Sequence, residues 1–208
     1  MAKTGRPPGN SNARQLLIDA ARTLFTALPF KKVSTRMVAE VAGVNSALIH
    51  YYFNDKSGLF ETMLLETLAP VREILDAQDM QQAFNPEAFV RAYYRAMAPN
   101  PDVPKLIFRI MSDQTDIQHP VIRSILERFF TRGDSMVLDA ERLQPRLKPE
   151  YRADFSRLTV MGLTVIPFLI PEAILKLHNL NLSEEDFLEL AEHNIRVLQQ
   201  GLLNHENP

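Results

Sequence analysis

Cysteine is absent from this chain of 208 residues. Its absence excludes disulfides, thiolate chemistry and Cys-based zinc sites, and it suits a reducing cytoplasm. Glycine is scarce, with seven residues in all. No Walker A, GxGxxG or GxSxG pattern occurs, so phosphate-cradling loops and a nucleophile elbow are missing. The histidines His50, His119, His178, His193 and His205 form no HExxH or comparable ligand set. His193 and Glu189 lie four residues apart, a spacing expected to give a solvated pair rather than a metal site. Long hydrophobic runs are also lacking. The longest uncharged apolar stretch, Leu158 to Pro171, is 14 residues and contains two prolines, short of the roughly 20 residues that span a bilayer. Met1 to Asn12 has no apolar core, so no signal peptide is expected. The expectation is a protein without catalytic residues, metal, cofactor or membrane partner.

What is present fits a soluble globular protein, with 46% hydrophobic and 23% charged residues. The length allows one large domain, or a small one fused to a larger one. The overall charge of −2 conceals an asymmetry. Residues 1–56 carry the cations Lys3, Arg6, Arg14, Arg22, Lys31, Lys32, Arg36 and Lys56 against Asp19, Glu40 and Asp55. Their net charge is +5, which leaves −7 for the remainder. A basic module joined to an acidic one points to a polyanionic partner at the N-terminal end alone.

The stretch from Ser34 to Lys56 reads as two short helices around a tight turn. Val33 is placed to staple ahead of Ser34, an N-cap whose hydroxyl accepts an orphan amide of a helix over Thr35 to Val41. Val38, Val41 and Ala42 supply its apolar stripe. Gly43 suits a turn through positive φ. Asn45 or Ser46 caps a second helix, with Ile49, Tyr52 and Phe53 recurring on its inner side. Ser46, Ala47, Leu48, His50 and Tyr51 are left facing outward. This small, mostly uncharged surface is what major-groove entry requires, although spacing alone equally allows an ordinary helical hairpin.

The segment AGVNSALIHYYFNDKSGLF resembles the signature of the TetR/AcrR family of bacterial transcriptional repressors. Ala42, Gly43, Val44, Tyr51, Tyr52, Phe53, Lys56, Leu59 and Phe60 stand at its positions. Ala47, Leu48 and His50 depart from the usual Gly or Pro, Thr and Tyr, all on the groove-facing side. The resemblance covers about the first quarter of the chain. It implies an all-α homodimer whose N-terminal helix-turn-helix module reads a near-palindromic double-stranded DNA operator. Thr35 and Arg36 are then expected on phosphate, and Asn45 within the same DNA-facing turn. Ser46, Ala47, Leu48 and His50 are expected on base edges, with Ala47 and Leu48 toward thymine methyls and His50 donating to a purine N7 or O6. Tyr51 and Lys56 are expected to grip the backbone, with Tyr52 either joining them or packing inward. Arg6, in a polar arm over residues 1–12, is either a minor-groove contact or part of a solvated tail.

The domain reading is an arm at 1–12, a three-helix DNA-binding module at 13–55, and a helical effector and dimerisation domain at 56–208. A first helix over Asn12 to Leu28 opens with an Asn12–Gln15 capping box and buries Leu17, Ala21, Leu24, Phe25 and Leu28. Asp55 caps a long helix in which Pro70 is expected to kink or interrupt. Further helices are expected at Pro86–Met97, Pro104–Gln114, Pro120–Leu143, Pro149–Ile166, Pro171–Leu177 and Ser183–Leu203. A Ser183–Asp186 capping box opens the last.

The family resemblance implies a pocket for a small, largely apolar effector. Candidate lining residues are Phe89, Tyr93, Met97, Phe108, Met111, Gln114, Phe129, Met136 and Met161, against the plain alternative of a packed core. A dimer interface is expected from Phe155, Leu158, Gly162 and Ile166 on one helix and Phe187, Ala191, Ile195, Leu198 and Leu202 on the last. The functional expectation is a repressor released from DNA by its ligand. The alternatives are a sequence-tolerant structural DNA-binding protein, or a small-molecule-binding helical protein or enzyme that no longer uses DNA.

Overall fold

The computed structural model describes residues 10–79, 83–112, 122–124 and 140–204. Arg6, Gln114, Phe129, Met136 and most of the expected Pro120–Leu143 helix lie outside them. The elements are α1 (Asn10–Ala27), a 3-10 turn (Phe30–Lys32), α2 (Thr35–Ala42), α3 (Ala47–Phe53) and α4 (Lys56–Asp79). They continue with α5 (Pro86–Met97), α6 (Asp102–Ser112), α7 (Ala140–Leu143), a 3-10 turn (Gln144–Arg146), α8 (Ala153–Leu169), α9 (Glu172–Leu177) and α10 (Glu184–Val197). A π-helical turn over Leu198–Leu202 ends α10. Among the described residues there is no strand, only an isolated bridge between Leu147 and Leu203. The fold is all-α.

The chain forms two compact units, residues 1–66 and 67–208. The boundary falls inside α4 rather than before it, because the first turns of α4 pack with α1 to α3. Phe60 meets Phe25 edge-on at 4.7 Å and Phe30 at 5.2 Å, while Phe25 stacks on Phe30 at 5.6 Å. Leu17, Ile18, Ala21, Val33, Val38, Ile49, Leu59 and Met63 complete this core. Burial of each large apolar side chain contributes about 1.5–3 kcal/mol. Three sequence expectations change here. The Asn12–Gln15 capping box does not form, because α1 begins at Asn10 and Gln15 instead donates to Asp19 at 3.1 Å. Val41 leaves the inner stripe of α2, being 56% exposed, and Ala39 takes its place beside Val38. Pro70 does not interrupt α4. It occupies an exposed position, so the helical bond it cannot make is lost on the solvent side.

In the second unit, Asn85 caps α5 by accepting from the Ala88 amide at 2.9 Å. The expected Ser183–Asp186 box opens α10: the Asp186 amide donates to Ser183 Oγ at 3.2 Å, and the Ser183 amide donates back at 2.8 Å. The core joins Tyr93, Tyr94, Phe168 and Phe187, with Phe168 stacked on Phe187 at 4.4 Å. α8 starts at Ala153 rather than Pro149, and α10 gives way to the π turn before Leu203. Lys148 holds that turn, donating from Nζ to the Gln200 and Gly201 carbonyls at 2.6 and 3.0 Å.

Candidate nucleic-acid interface

The reading unit is assembled by local rules. Ser34 Oγ accepts from the Met37 amide at 3.2 Å, which caps α2. Gly43, at φ 66°, ends it, and the Val44 amide closes the turn on the Ala39 carbonyl at 3.0 Å. An L-residue in this conformation is strained, whereas glycine is not. Of the two candidate caps for α3, Asn45 is the one used: its Oδ1 accepts from the Ala47 amide at 2.8 Å, and Ser46 makes no capping bond. Ile49 and Phe53 anchor α3 in the core.

That anchoring sets the outer face. Asn45, Ser46, Ala47, His50 and Tyr51 are exposed, and Leu48 is half-buried. Tyr51 is 73% exposed and leans edge-on against the half-buried Tyr52 at 4.9 Å. Tyr52 also meets Phe53 at 6.0 Å, so its ring belongs between the outer face and the core. On α2, Arg36 is exposed and Thr35 half-buried beside the helix start.

Lys56 is placed differently from the expectation. Its ammonium donates to the carbonyls of Phe30 and Val33, each at 3.0 Å, and sits 4.2 Å from the centre of the Phe30 ring. Burial pushes its pKa below the ordinary lysine value, while the carbonyls and the ring favour the charged form. Two of its three N–H donors therefore hold the turn before α2 against the start of α4, which leaves little for phosphate.

Asn54, Gly58 and Arg14 build this site without having stood out in the sequence. Asn54 takes φ 70° and receives the His50 ring, Nδ1 lying 2.7 Å from its carbonyl oxygen. Gly58 runs so close to the end of α3 that a Cβ there would lie 2.1 Å from the Phe53 carbonyl oxygen. Asp55 caps α4, as the sequence suggests, by accepting from the Gly58 amide at 2.9 Å. Arg14 lies over the Phe53 ring at 5.6 Å and pairs with Glu66. The Asn-Asp pair before a helix is a usable sequence signal for the turn. The long-range partners of Arg14 and Lys56 have none.

In the second unit, Phe89, Tyr93 and Met97 line the buried side of α5. Burial pushes the Tyr93 phenol above its ordinary pKa, and the Tyr94 phenol up to about 12. Met161 is half-buried. Phe108 and Met111 do not join this interior. They are 57% and 50% exposed, because α6 buries Val103, Leu106 and Ile110 and turns the intervening positions outward.

The expected dimer stripe divides in two. Phe155, Leu158 and Ile166 are exposed on α8, with Gly162 half-buried among them. Phe187, Ala191, Ile195, Leu198 and Leu202 are buried within their own unit. The core claims this stripe first, since Phe187 stacks on Phe168. The exposed apolar residues of the last helical run are instead Leu188 and Val197. Val197, Phe155 and Thr159 share an open groove of about 380 Å³ with Tyr151 and Gly201. Among the described residues no group of three or more His, Asp or Glu is placed to hold a metal, and no helix is long and apolar enough to cross a membrane.

Residues 17–63 match the family model of bacterial regulatory proteins, tetR family. No curated protein sequence matches the chain. Among solved structures, the ketosteroid transcriptional regulator KstR2 of Mycobacterium tuberculosis superposes with a TM-score of 0.62 at 16% identity, covering 92% of this chain and 95% of that one. NalD, the secondary repressor of the MexAB-OprM multidrug efflux pump in Pseudomonas aeruginosa, gives 0.58 at 18% identity over 94% and 98%. The fatty acid degradation regulator FadR from Bacillus halodurans gives 0.57 at 16% identity over 96% and 98%. At these identities the likeness establishes the fold, which extends over nearly the whole chain. The matched segment contains the complete turn from Ser34 to Lys56, so over this N-terminal stretch the chain is similar to bacterial regulatory proteins of the tetR family.

Proposed function

We propose that the protein is a sequence-specific DNA-binding transcriptional regulator, a repressor released from a near-palindromic operator by a small, largely apolar ligand. The observation that carries this reading is the outer face of α3. Its exposed Ser46, Ala47, His50 and Tyr51 project from a helix held by the Gly43 turn and by buried Ile49 and Phe53. Small side chains at its start allow close approach to base edges, and Tyr51 is placed at its margin for the DNA backbone. Thr35 and Arg36 meet phosphate at the start of α2. With Lys56 engaged internally, Lys31 and Lys32, exposed in the preceding turn, take the electrostatic role assigned to it from sequence.

The acidic second unit is read as the effector and dimerisation domain. Phe89, Tyr93 and Met97 form its aromatic and sulfur-containing interior, the kind of lining that accepts an apolar molecule. KstR2 and FadR are named for ketosteroids and fatty acid degradation, and an apolar effector is inferred here from that and from the lining. The exposed α8 face of Phe155, Leu158 and Ile166, with Val197, is read as the homodimer surface. Two copies then present two α3 helices to the two half-sites, and acting on chromosomal DNA places the protein in the cytoplasm.

The test is fluorescence anisotropy on a duplex from the upstream region of its own gene, with a scrambled duplex at the same salt. Specific binding at least about a thousandfold tighter than to the scrambled duplex is expected. If that duplex is not the operator, selection from a random duplex library supplies one. Equal, weak binding after such selection would transfer the reading to a helical small-molecule binder that does not use DNA.

A further inference from the structure

We propose that His50 recognises an exocyclic amino group, adenine N6 or cytosine N4, through Nε2 acting as a hydrogen-bond acceptor. The inference rests on the reading of α3 as the helix that enters the major groove. His50 Nδ1 lies 2.7 Å from the carbonyl oxygen of Asn54. A carbonyl oxygen only accepts, so the ring carries its proton on Nδ1 and donates it there. A neutral imidazole has a single N–H, and the other nitrogen then presents a lone pair.

The tautomer is set by the fold rather than by the DNA. Asn54 departs from the helical path at φ 70° and ψ −52° immediately after α3. Its carbonyl is placed one helical turn beyond His50, within reach of the near edge of the ring. Asparagine tolerates a positive φ better than most residues. His50 itself is exposed, so the edge bearing Nε2 is the one available to a partner.

In the major groove, guanine presents N7 and O6 and thymine presents O4, all acceptors that repel a lone pair. Adenine N6 and cytosine N4 are the donors that satisfy it. The polarity is the reverse of the sequence expectation, in which His50 donates to a purine N7 or O6. Ala47 and Leu48 offer no hydrogen bonds, so His50 and Ser46 supply the polar discrimination along this face, and His50 supplies the acceptor of fixed sense.

The experiment uses the full-length protein and duplexes recovered from a random library. Adenine is replaced position by position with unsubstituted purine, which lacks the 6-amino group, and cytosine with 2-pyrimidinone, which lacks the 4-amino group. 7-Deazapurines remove N7 and keep the amino group. Deleting one amino group per half-site should weaken binding about tenfold, and the 7-deaza change at that position should have no effect. His50→Ala should bind the parent and amino-deleted duplexes equally.

Weakening by 7-deazapurines with silent amino deletions overturns the proposal, as does a His50→Ala loss that is uniform over all duplexes. Long-range 1H–15N spectra of the free protein, at a pH where the ring is neutral, should show Nδ1 protonated. Specific DNA binding with Nε2 protonated in the free protein overturns this inference alone. Recovery of no specific duplex overturns the DNA reading and this inference together.

Discussion

Asn194 supplies to the carbonyl of Leu163 the hydrogen bond that Pro167 cannot. Leu163 and Pro167 are four residues apart in α8, and the amide that would close that helical bond is missing from the proline. Asn194 Nδ2 donates to that carbonyl at 2.9 Å, Tyr94 Oη donates to the same carbonyl at 2.8 Å, and Asn194 Nδ2 also donates to Tyr94 Oη at 3.0 Å. Tyr94 is fully buried and Asn194 nearly so. One helix irregularity thus ties α5, α8 and α10 together through a satisfied polar knot.

Replacing Asn194 with Ala should cost about 0.5–1.5 kcal/mol, because it removes one of two donors from the half-buried Leu163 carbonyl and leaves Tyr94 Oη in place. In the Pro167→Ala background the restored amide competes for that carbonyl, so the cost of Asn194→Ala should fall. Urea unfolding of the four proteins in this cycle measures the coupling. Strict additivity would show that Pro167 and Asn194 are not linked in this way.

The same knot sets an alkaline response. Burial raises the Tyr94 phenol from the ordinary value of 10.0 to about 12, and Tyr93 is raised as well. Between these values the unfolded chain loses the Tyr94 proton and the folded chain keeps it, so stability falls as pH rises from about 10 to about 12. Tyr94→Phe should flatten the loss over that window, leaving the Tyr93 contribution. Denaturant midpoints across the pH series provide the comparison.

Lys56→Met should melt the DNA-binding unit at lower denaturant, by about 1–3 kcal/mol, since the Val33 carbonyl loses the Lys56 donor and the Phe30 carbonyl keeps only the Val33 amide. Binding by the folded fraction should keep its salt dependence, because Lys56 lies on Phe30 and Val33 rather than on DNA. Lys31→Ala with Lys32→Ala should do the opposite, reducing the salt slope without destabilising the fold. A reduced slope for Lys56→Met would return it to phosphate.

Gly43 and Gly58 should respond unequally to alanine. At Gly43 an added Cβ meets nothing within 4 Å, so Gly43→Ala costs only the left-handed backbone term, about 1–2 kcal/mol. At Gly58 the Cβ collides with the backbone of Phe53, which no side-chain rotation relieves. Gly58→Ala should cost about 3 kcal/mol or more, at or above the top of the usual overpacking range. Thermal unfolding followed by circular dichroism ranks the two.

If α8 forms the proposed homodimer surface, Leu158→Asp should keep the protein monomeric and folded, because Leu158 is 62% exposed. Phe187→Ala should instead lower stability by about 3–5 kcal/mol, as buried Phe truncations do. Sedimentation velocity beside denaturant titration separates these effects. A Leu158→Asp protein that stays dimeric would remove α8 from the interface.

Much of the molecule is legible in its sequence, and the division follows the range of the forces involved. Ser34, Gly43, Asn45, Asp55, Asn85 and the Ser183–Asp186 box act within one turn of chain, where capping and φ preferences are properties of the residues themselves. The match of α5 to the expected Pro86–Met97 has the same origin, as does the inward placing of Ile49 and Phe53, and the opposite charge of the two modules is read directly from composition. Apolar periodicity also found the stripes of the last helix and of α8. It could not say which stripe the core would take, because a buried face and a face awaiting a partner carry the same residue pattern. Tertiary packing made that choice by stacking Phe187 on Phe168 and leaving Phe155, Leu158 and Ile166 outside. The same holds for single polar atoms. Nothing near Lys56 in the sequence announces the carbonyls of Phe30 and Val33, and nothing near Pro167 announces Asn194. Sequence determined the helices, their caps and the identity of the reading turn, because those depend on neighbours a few residues away. Only the tertiary structure decided where each long side chain puts its hydrogen bonds, because those partners come together when the chain folds.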